Sequence, residues 1–104
     1  MTRLAHHVFF TLRDGSAANV DRLIAACQKY LTDHDGVIDF SVGRRDEGLS
    51  RPVNDTEFHV SLHVVFRDRA AHDAYQTSPR HLEFIAEQKD HWKAARVFDS
   101  LLVD

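Results

Sequence analysis

Eight histidines in 104 residues are the side chains with the most chemistry to offer. An imidazole with a pKa near 6.5 moves protons at neutral pH and, when neutral, ligates metals. His81, in the run PRHLEF, stands just inside a helix start, where it can reach the mouth of a cavity as a general base. Tyr75, six residues earlier, carries a hydroxyl able to orient a substrate carbonyl or hold an imidazole tautomer. His6, in LAHHVFF, shares a face with Val8 and Phe10 and therefore points inward. His81, Tyr75 and His6 are the candidate catalytic residues. For each, the structural alternative is ordinary packing with one satisfied polar atom.

The remaining histidines divide by position. His7, His59 and His63 share the other face of their strands, so His7 is expected opposite His63 if the two strands are antiparallel neighbours. His59 and His63 are about 13 Å apart at ~3.3 Å per strand residue and cannot chelate one ion. No carboxylate stands at ligand spacing, and no metal site is assigned. His34, His72 and His91 read as exposed helix or loop residues. No Gly-rich phosphate loop, dinucleotide fingerprint, zinc motif or Ser-His-Asp signature occurs, so no cofactor is expected.

Leu4 to Arg13 alternates with a period of two and predicts a strand. Ser16 is an N-cap for a helix whose Val20, Leu23, Ile24, Cys27 and Leu31 form an apolar stripe, ending near Asp35-Gly36. Val37 to Arg45 alternates again, with Ile38, Phe40 and Val42 on one face. Asp46 to Thr56 is a polar loop. Glu57 to Phe66 places Phe58, Val60, Leu62, Val64 and Phe66 on one face. Asp68 caps a short helix through Gln76, and Ser78-Pro79 starts another toward Trp92. Arg96 to Val103 closes the chain as a strand. The order β-α-β-β-α-β is the split βαβ arrangement of ferredoxin-like α+β domains, a four-stranded antiparallel sheet with its helices on one face. Residues 1–104 read as a single such domain. A chain with 43% hydrophobic and 28% charged residues buries roughly 65% of its unfolded surface and needs no disulfide. The lone Cys27 lies on the buried stripe and fits a reducing compartment.

The helix-free face carries His7, Phe9, Thr11, Asp39, Ser41, His59, Ser61, His63 and Val65, too apolar for a free surface and too polar for a dry core. Covering it with a second copy about a twofold axis makes a homodimer, with His7, Phe9, Ser61, His63 and Val65 at the interface. The net charge of -3, with no basic block longer than Arg44-Arg45, argues against nucleic acid as a partner. No apolar run approaches ~18 residues, so no membrane span is expected, and no signal segment opens the chain, which places it in the cytoplasm.

The opening HHVFFTLRD, the GRR ending strand two, the VVF ending strand three, the segment AYQTSPRHLEF and the closing VFDSLLV together resemble the Dabb family, the stress-responsive dimeric α/β-barrel domains. The resemblance implies a ferredoxin-like fold dimerised into a β-barrel. A plant polyketide cyclase of the family performs a cofactor-independent aldol cyclisation in its sheet-helix pocket with histidine and tyrosine side chains. Motif by motif, its histidines and tyrosine fall on His6, Tyr75 and His81. Its strand-three histidine falls on Val60, and Thr56-Glu57 replaces the family's Gly-Tyr, so the same substrate is not expected.

The expectation is a homodimer binding a small, mostly apolar or carbonyl-bearing ligand in a pocket walled by Phe10, Ile24, Val60, Leu62 and Leu82. One alternative is a cofactor-free lyase, cyclase or isomerase with His81 as base and Tyr75 or His6 orienting the carbonyl. The other is a structural stress-response protein. A cavity of a few hundred Å³ beside His81 and Tyr75 favours the first two, and a packed interior with both side chains satisfied favours the third.

Overall fold

In a computed structural model, which describes residues 2–104, the chain forms β1 (Leu4–Leu12), α1 (Ala17–Tyr30), β2 (Val37–Arg44), β3 (Val60–Phe66), α2 (Arg69–Gln76), α3 (Pro79–Gln88), a single 3-10 turn (Lys89–His91) and β4 (Trp92–Leu101). The strands make one antiparallel sheet in the order β2-β3-β1-β4. This is the ferredoxin-like arrangement, with the second helical segment broken into α2 and α3.

The alternation in β1 and β3 arises because one face lies under the helices. Leu4, Val8, Phe10 and Leu12 on β1 and Val60, Leu62, Val64 and Phe66 on β3 are buried, and they meet Val20, Leu23, Cys27 and Tyr30 of α1. Ser16 caps α1 through Asn19 N–H, and Asp68 caps α2 through Ala71 N–H. Each cap satisfies one of the unpaired N–H groups in the first turn of its helix.

Four expectations about the elements are corrected. Helix α1 stops at Tyr30, because Asp33 (φ 61°) and Gly36 (φ 84°) both take left-handed conformations that no helix continues through. Gly36 is further constrained by close approach: a Cβ there would lie 2.4 Å from Ala71 Cβ on α2. In β2 a bulge between Val37 and Asp39 inserts Ile38 as an extra residue. Val37, Phe40 and Val42 therefore pack on the core, and Ile38 is turned out to 56% exposure. Strand β3 begins at Val60, and Phe58, outside the strand, packs edge-on against Phe9 on the helix-free side (centroids 5.1 Å apart). The last helix ends at Gln88, and β4 starts at Trp92, pairing Trp92 with Leu12 and Ala94 with Thr11.

Strand β4 is an edge strand whose inner face extends past the helical layer. Val97 there is 52% exposed. The bay between this strand and helices α2 and α3 is where the candidate site lies.

Candidate functional site

The bay holds a cavity of about 410 Å³. Its floor is the inner face of the sheet, with His6, Val8 and Phe10 from β1, Leu62 from β3, and Ala95, Val97 and Asp99 from β4. Its roof is His72, Tyr75 and Gln76 from α2 and His81, Phe84 and Ile85 from α3. The sequence places these side chains by helical phase. His72, Tyr75 and Gln76 are i, i+3, i+4 on one face of α2. The Ser78 cap bonds the main-chain N–H of His81, and Pro79 opens α3. That start turns His81, Phe84 and Gln88 into the interior.

The three candidate catalytic residues converge here. The Tyr75 and His81 rings are 4.7 Å apart, and the His6 and Tyr75 rings 6.1 Å apart. Tyr75 is 2% exposed and His81 9%. Tyr75 Oη, His81 Nδ1 and Trp92 Nε1 are buried without a hydrogen-bond partner, and all three residues line the cavity. Such orphaned groups cost stability inside a protein and mark places where a partner is expected. His6 is held differently: its Nδ1 bonds Asp99 Oδ1 at 2.6 Å across the β1–β4 register, where His6 faces Asp99.

Burial governs the protonation states. It pushes His81 down to about 4, helped by the neighbouring His6 and His34. The Gln76 main chain acts in the opposite direction, though it makes no hydrogen bond of ordinary geometry to His81 Nδ1. Burial also raises the Tyr75 phenol well above its ordinary value, with a smaller push from Cys27. His6 is lowered by burial despite the opposing pull of Asp99. At neutral pH the site therefore presents a neutral imidazole at His81 beside a protonated phenol at Tyr75, an acceptor next to a donor.

Phe10 and Leu62 line the cavity as expected, whereas three expected wall residues do not. Val60 is wholly buried in the core, Ile24 packs against that core from α1, and Leu82 faces out at 55% exposure because the phase of α3 carries it away from His81. Two residues read as exposed belong to the site. His72 lines the cavity with its ring 5.3 Å from His6, and His34 stacks edge-on to Tyr75 at 4.9 Å. The i, i+3 spacing of His72 and Tyr75 is the signal that could have found the first. Asp99 had no local signal, since its partner is 93 positions away.

A larger cavity of about 790 Å³ lies at the opposite end, between the α1 start and the 44–59 segment. It is lined by polar and charged side chains, several of them engaged with one another or with the main chain. Arg44 pairs with Asp21 at 2.8 Å, and His59 Nδ1 accepts the Leu12 main-chain N–H at 3.0 Å.

On the helix-free face His7 stands opposite His63, with their Nδ1 atoms 2.8 Å apart. Burial and then the neighbouring His7 lower His63. Phe9 touches Phe58, His63 and Phe98 edge-on, forming an aromatic patch, and Phe98 is 52% exposed.

Together the sheet order, the helix placement and the bay define a ferredoxin-like domain with a sheet-helix pocket. The profile of the Dabb family, described as the stress responsive A/B barrel domain, matches residues 4–101, and the chain belongs to that family. A Dabb family protein with a ferredoxin-like fold from Mesorhizobium loti is 24% identical, with full coverage of both chains and a TM-score of 0.82. A dimeric ferredoxin-like protein of unknown function from Thermobifida fusca is 19% identical over 97% of this chain and 92% of its own, with a TM-score of 0.81. The hydroxynitrile lyase of Passiflora edulis is 20% identical over 98% of this chain and 94% of its own, with a TM-score of 0.78. Among proteins with curated descriptions, none matches this sequence. Among the described residues no helix is long and apolar enough to cross a membrane.

Proposed function

We propose that this chain is a single-domain cytoplasmic homodimer in which each subunit binds a small, mostly apolar, carbonyl-bearing molecule in the sheet-helix pocket. The observation that carries this reading is the set of partnerless buried atoms, Tyr75 Oη, His81 Nδ1 and Trp92 Nε1, in residues that line a cavity of about 410 Å³ with walls such as Val8, Phe10, Leu62 and Phe84. Apolar walls with a few convergent polar groups are the usual make-up of a ligand site. A purely structural protein would gain nothing from leaving three hydrogen-bonding groups unmet there.

The same geometry favours catalysis as a second reading. A protonated Tyr75 donates to a carbonyl oxygen while neutral His81 takes a proton from the adjacent carbon, breaking that C–H bond. The electron pair released moves toward the oxygen held by Tyr75, and His81 returns the proton to product. Such a cycle suits a cofactor-independent lyase, cyclase or isomerase. The likeness in fold to the Passiflora lyase is compatible with that class. The homodimer is supported by the half-apolar, aromatic helix-free face and by dimeric relatives of the same fold.

The test is to identify small molecules co-purifying with the native protein by mass spectrometry and to titrate the strongest candidate into the wild type and into His81→Ala and Tyr75→Phe. Binding at one site per chain, weakened tenfold or more in both variants, is the expected result. Unaltered binding in both would overturn the assignment.

A further inference from the structure

The pocket wall carries a cluster that the proton chemistry above does not use. His6 on β1, His72 on α2 and Asp99 on β4 each place one donor atom so that all three atoms lie within 4.8 Å of one another. All three residues line the cavity. Two imidazoles and one carboxylate from three separate elements, with the cavity in front of them, form a three-ligand set that leaves a coordination position open.

We propose that His6, His72 and Asp99 form a binding site for a borderline divalent transition metal such as Zn²⁺ or Co²⁺, with its open position facing the pocket. The ion would sit where a proton now lies between His6 Nδ1 and Asp99 Oδ1, and the imidazole proton would move to Nε2, leaving the ring neutral. Metal–nitrogen and metal–oxygen bonds of about 2.0–2.2 Å require ligand atoms roughly 3.3 Å apart in a tetrahedral site. The His6–Asp99 pair, at 2.6 Å, opens slightly, and the widest separation closes by about 1.5 Å.

Asp99 is the ligand with room to move. The Asp99 side chain is 43% exposed on the edge strand, and His72 stands on the eight-residue helix α2 at the cavity rim. His6, fixed in the sheet at 4% exposure, is the anchor. His72 is already braced as a ligand would be. Its Nδ1 donates to Asp73 Oδ1 at 2.9 Å, which leaves Nε2 as the lone-pair atom, with the Gln76 amide at a long 3.4 Å. A carboxylate behind a ligating histidine sets its tautomer and orientation. The donor set selects the metal class: imidazole with one carboxylate suits Zn²⁺ and its neighbours, whereas Mg²⁺ and Ca²⁺ prefer oxygen ligands throughout.

The proposal is independent of the organic ligand, because the metal is titrated alone into the full-length chain freed of metal by chelation. Calorimetry with Zn²⁺ should give one tight site per chain. Co²⁺ should give the intense visible absorption of a four-coordinate ion, and Mg²⁺ should give no binding. Asp99→Asn and His72→Ala should each weaken Zn²⁺ at least tenfold, while His63→Ala, in the pair on the opposite face, should leave it within twofold. The Zn²⁺-induced rise in the thermal midpoint should vanish in Asp99→Asn, which sits on the exposed rim and keeps the test intact if His72→Ala folds poorly. Zn²⁺ affinity unchanged in Asp99→Asn, or lost only in His63→Ala, overturns the proposal. A negative result here leaves the organic pocket standing, and loss of ligand binding in Tyr75→Phe does not touch the metal site.

Discussion

At Tyr75 the proposed function and stability are set against each other in a single atom. A buried hydroxyl without a partner, as at Tyr75, carries a desolvation cost of about 1–3 kcal/mol. Tyr75→Phe keeps the ring packed among Phe66, His34 and His81 and deletes only that hydroxyl. It should raise stability by about 1 kcal/mol, or roughly 4 °C in Tm, even as it weakens ligand binding. Calorimetric melting of the ligand-free protein checks the sign, and a lower Tm would mean that the hydroxyl is satisfied. The histidines add a pH signature. His81, His6 and His63 all have folded pKa values depressed chiefly by burial. Between the unfolded value near 6.5 and the folded value of about 4 for His81, the unfolded chain binds more protons. Stability is thus full above pH 6.5 and declines as pH falls through that window. A thermal midpoint that stays level from pH 7 to 4.5 would contradict this, and His81→Ala should flatten the slope.

Elements were legible wherever one face of a segment is buried by its neighbours, as in β1, β3 and α1, because burial imposes the period on the sequence. Where pairing overrides local preference they were not. Trp92 to Ala95, with its lysine and alanines, has the propensity of a helix end, yet β1 claims it as a strand through Leu12–Trp92 and Thr11–Ala94. The bulge at Ile38 is invisible locally, since alternation continues unbroken through it in the sequence. For the site, Tyr75, His81 and His6 were legible from helix starts and strand phase. Asp99 was not, because only the β1–β4 register brings it to His6. One element-scale constraint is directly testable. Gly36 must adopt φ 84° and lies against Ala71, so Gly36→Ala should cost about 1–2 kcal/mol for the left-handed backbone plus the clash. Adding Ala71→Gly should recover the clash part alone, and urea midpoints for the four proteins of the cycle measure it.

At the scale of the whole molecule, the helix-free face is where the proposed dimer would form. Phe9, Val65 and the His7–His63 pair are only half-covered in one chain, and Phe98 stands open beside them. Light scattering at micromolar concentration should give about twice 11.9 kDa, and Val65→Asp should dissociate the assembly, because a carboxylate buried without a partner is expensive. A monodisperse wild-type monomer would refute it. The strand order bears on how the chain reaches this state. β1, the first strand made, is flanked by β3 and by β4, the last, so Leu4 waits for Leu101 across almost the entire sequence. Such non-local pairing slows folding, and the order predicts a chronology in which β2, β3, β1 and the helices associate before β4 docks. Ala95, Val97 and Asp99 arrive only with β4, so the pocket is completed in the final step. Pulsed hydrogen exchange during refolding should find the β1–β3 amides protected before those of β4, and any small molecule or ion that binds in the bay will act as a clasp on the last strand to fold.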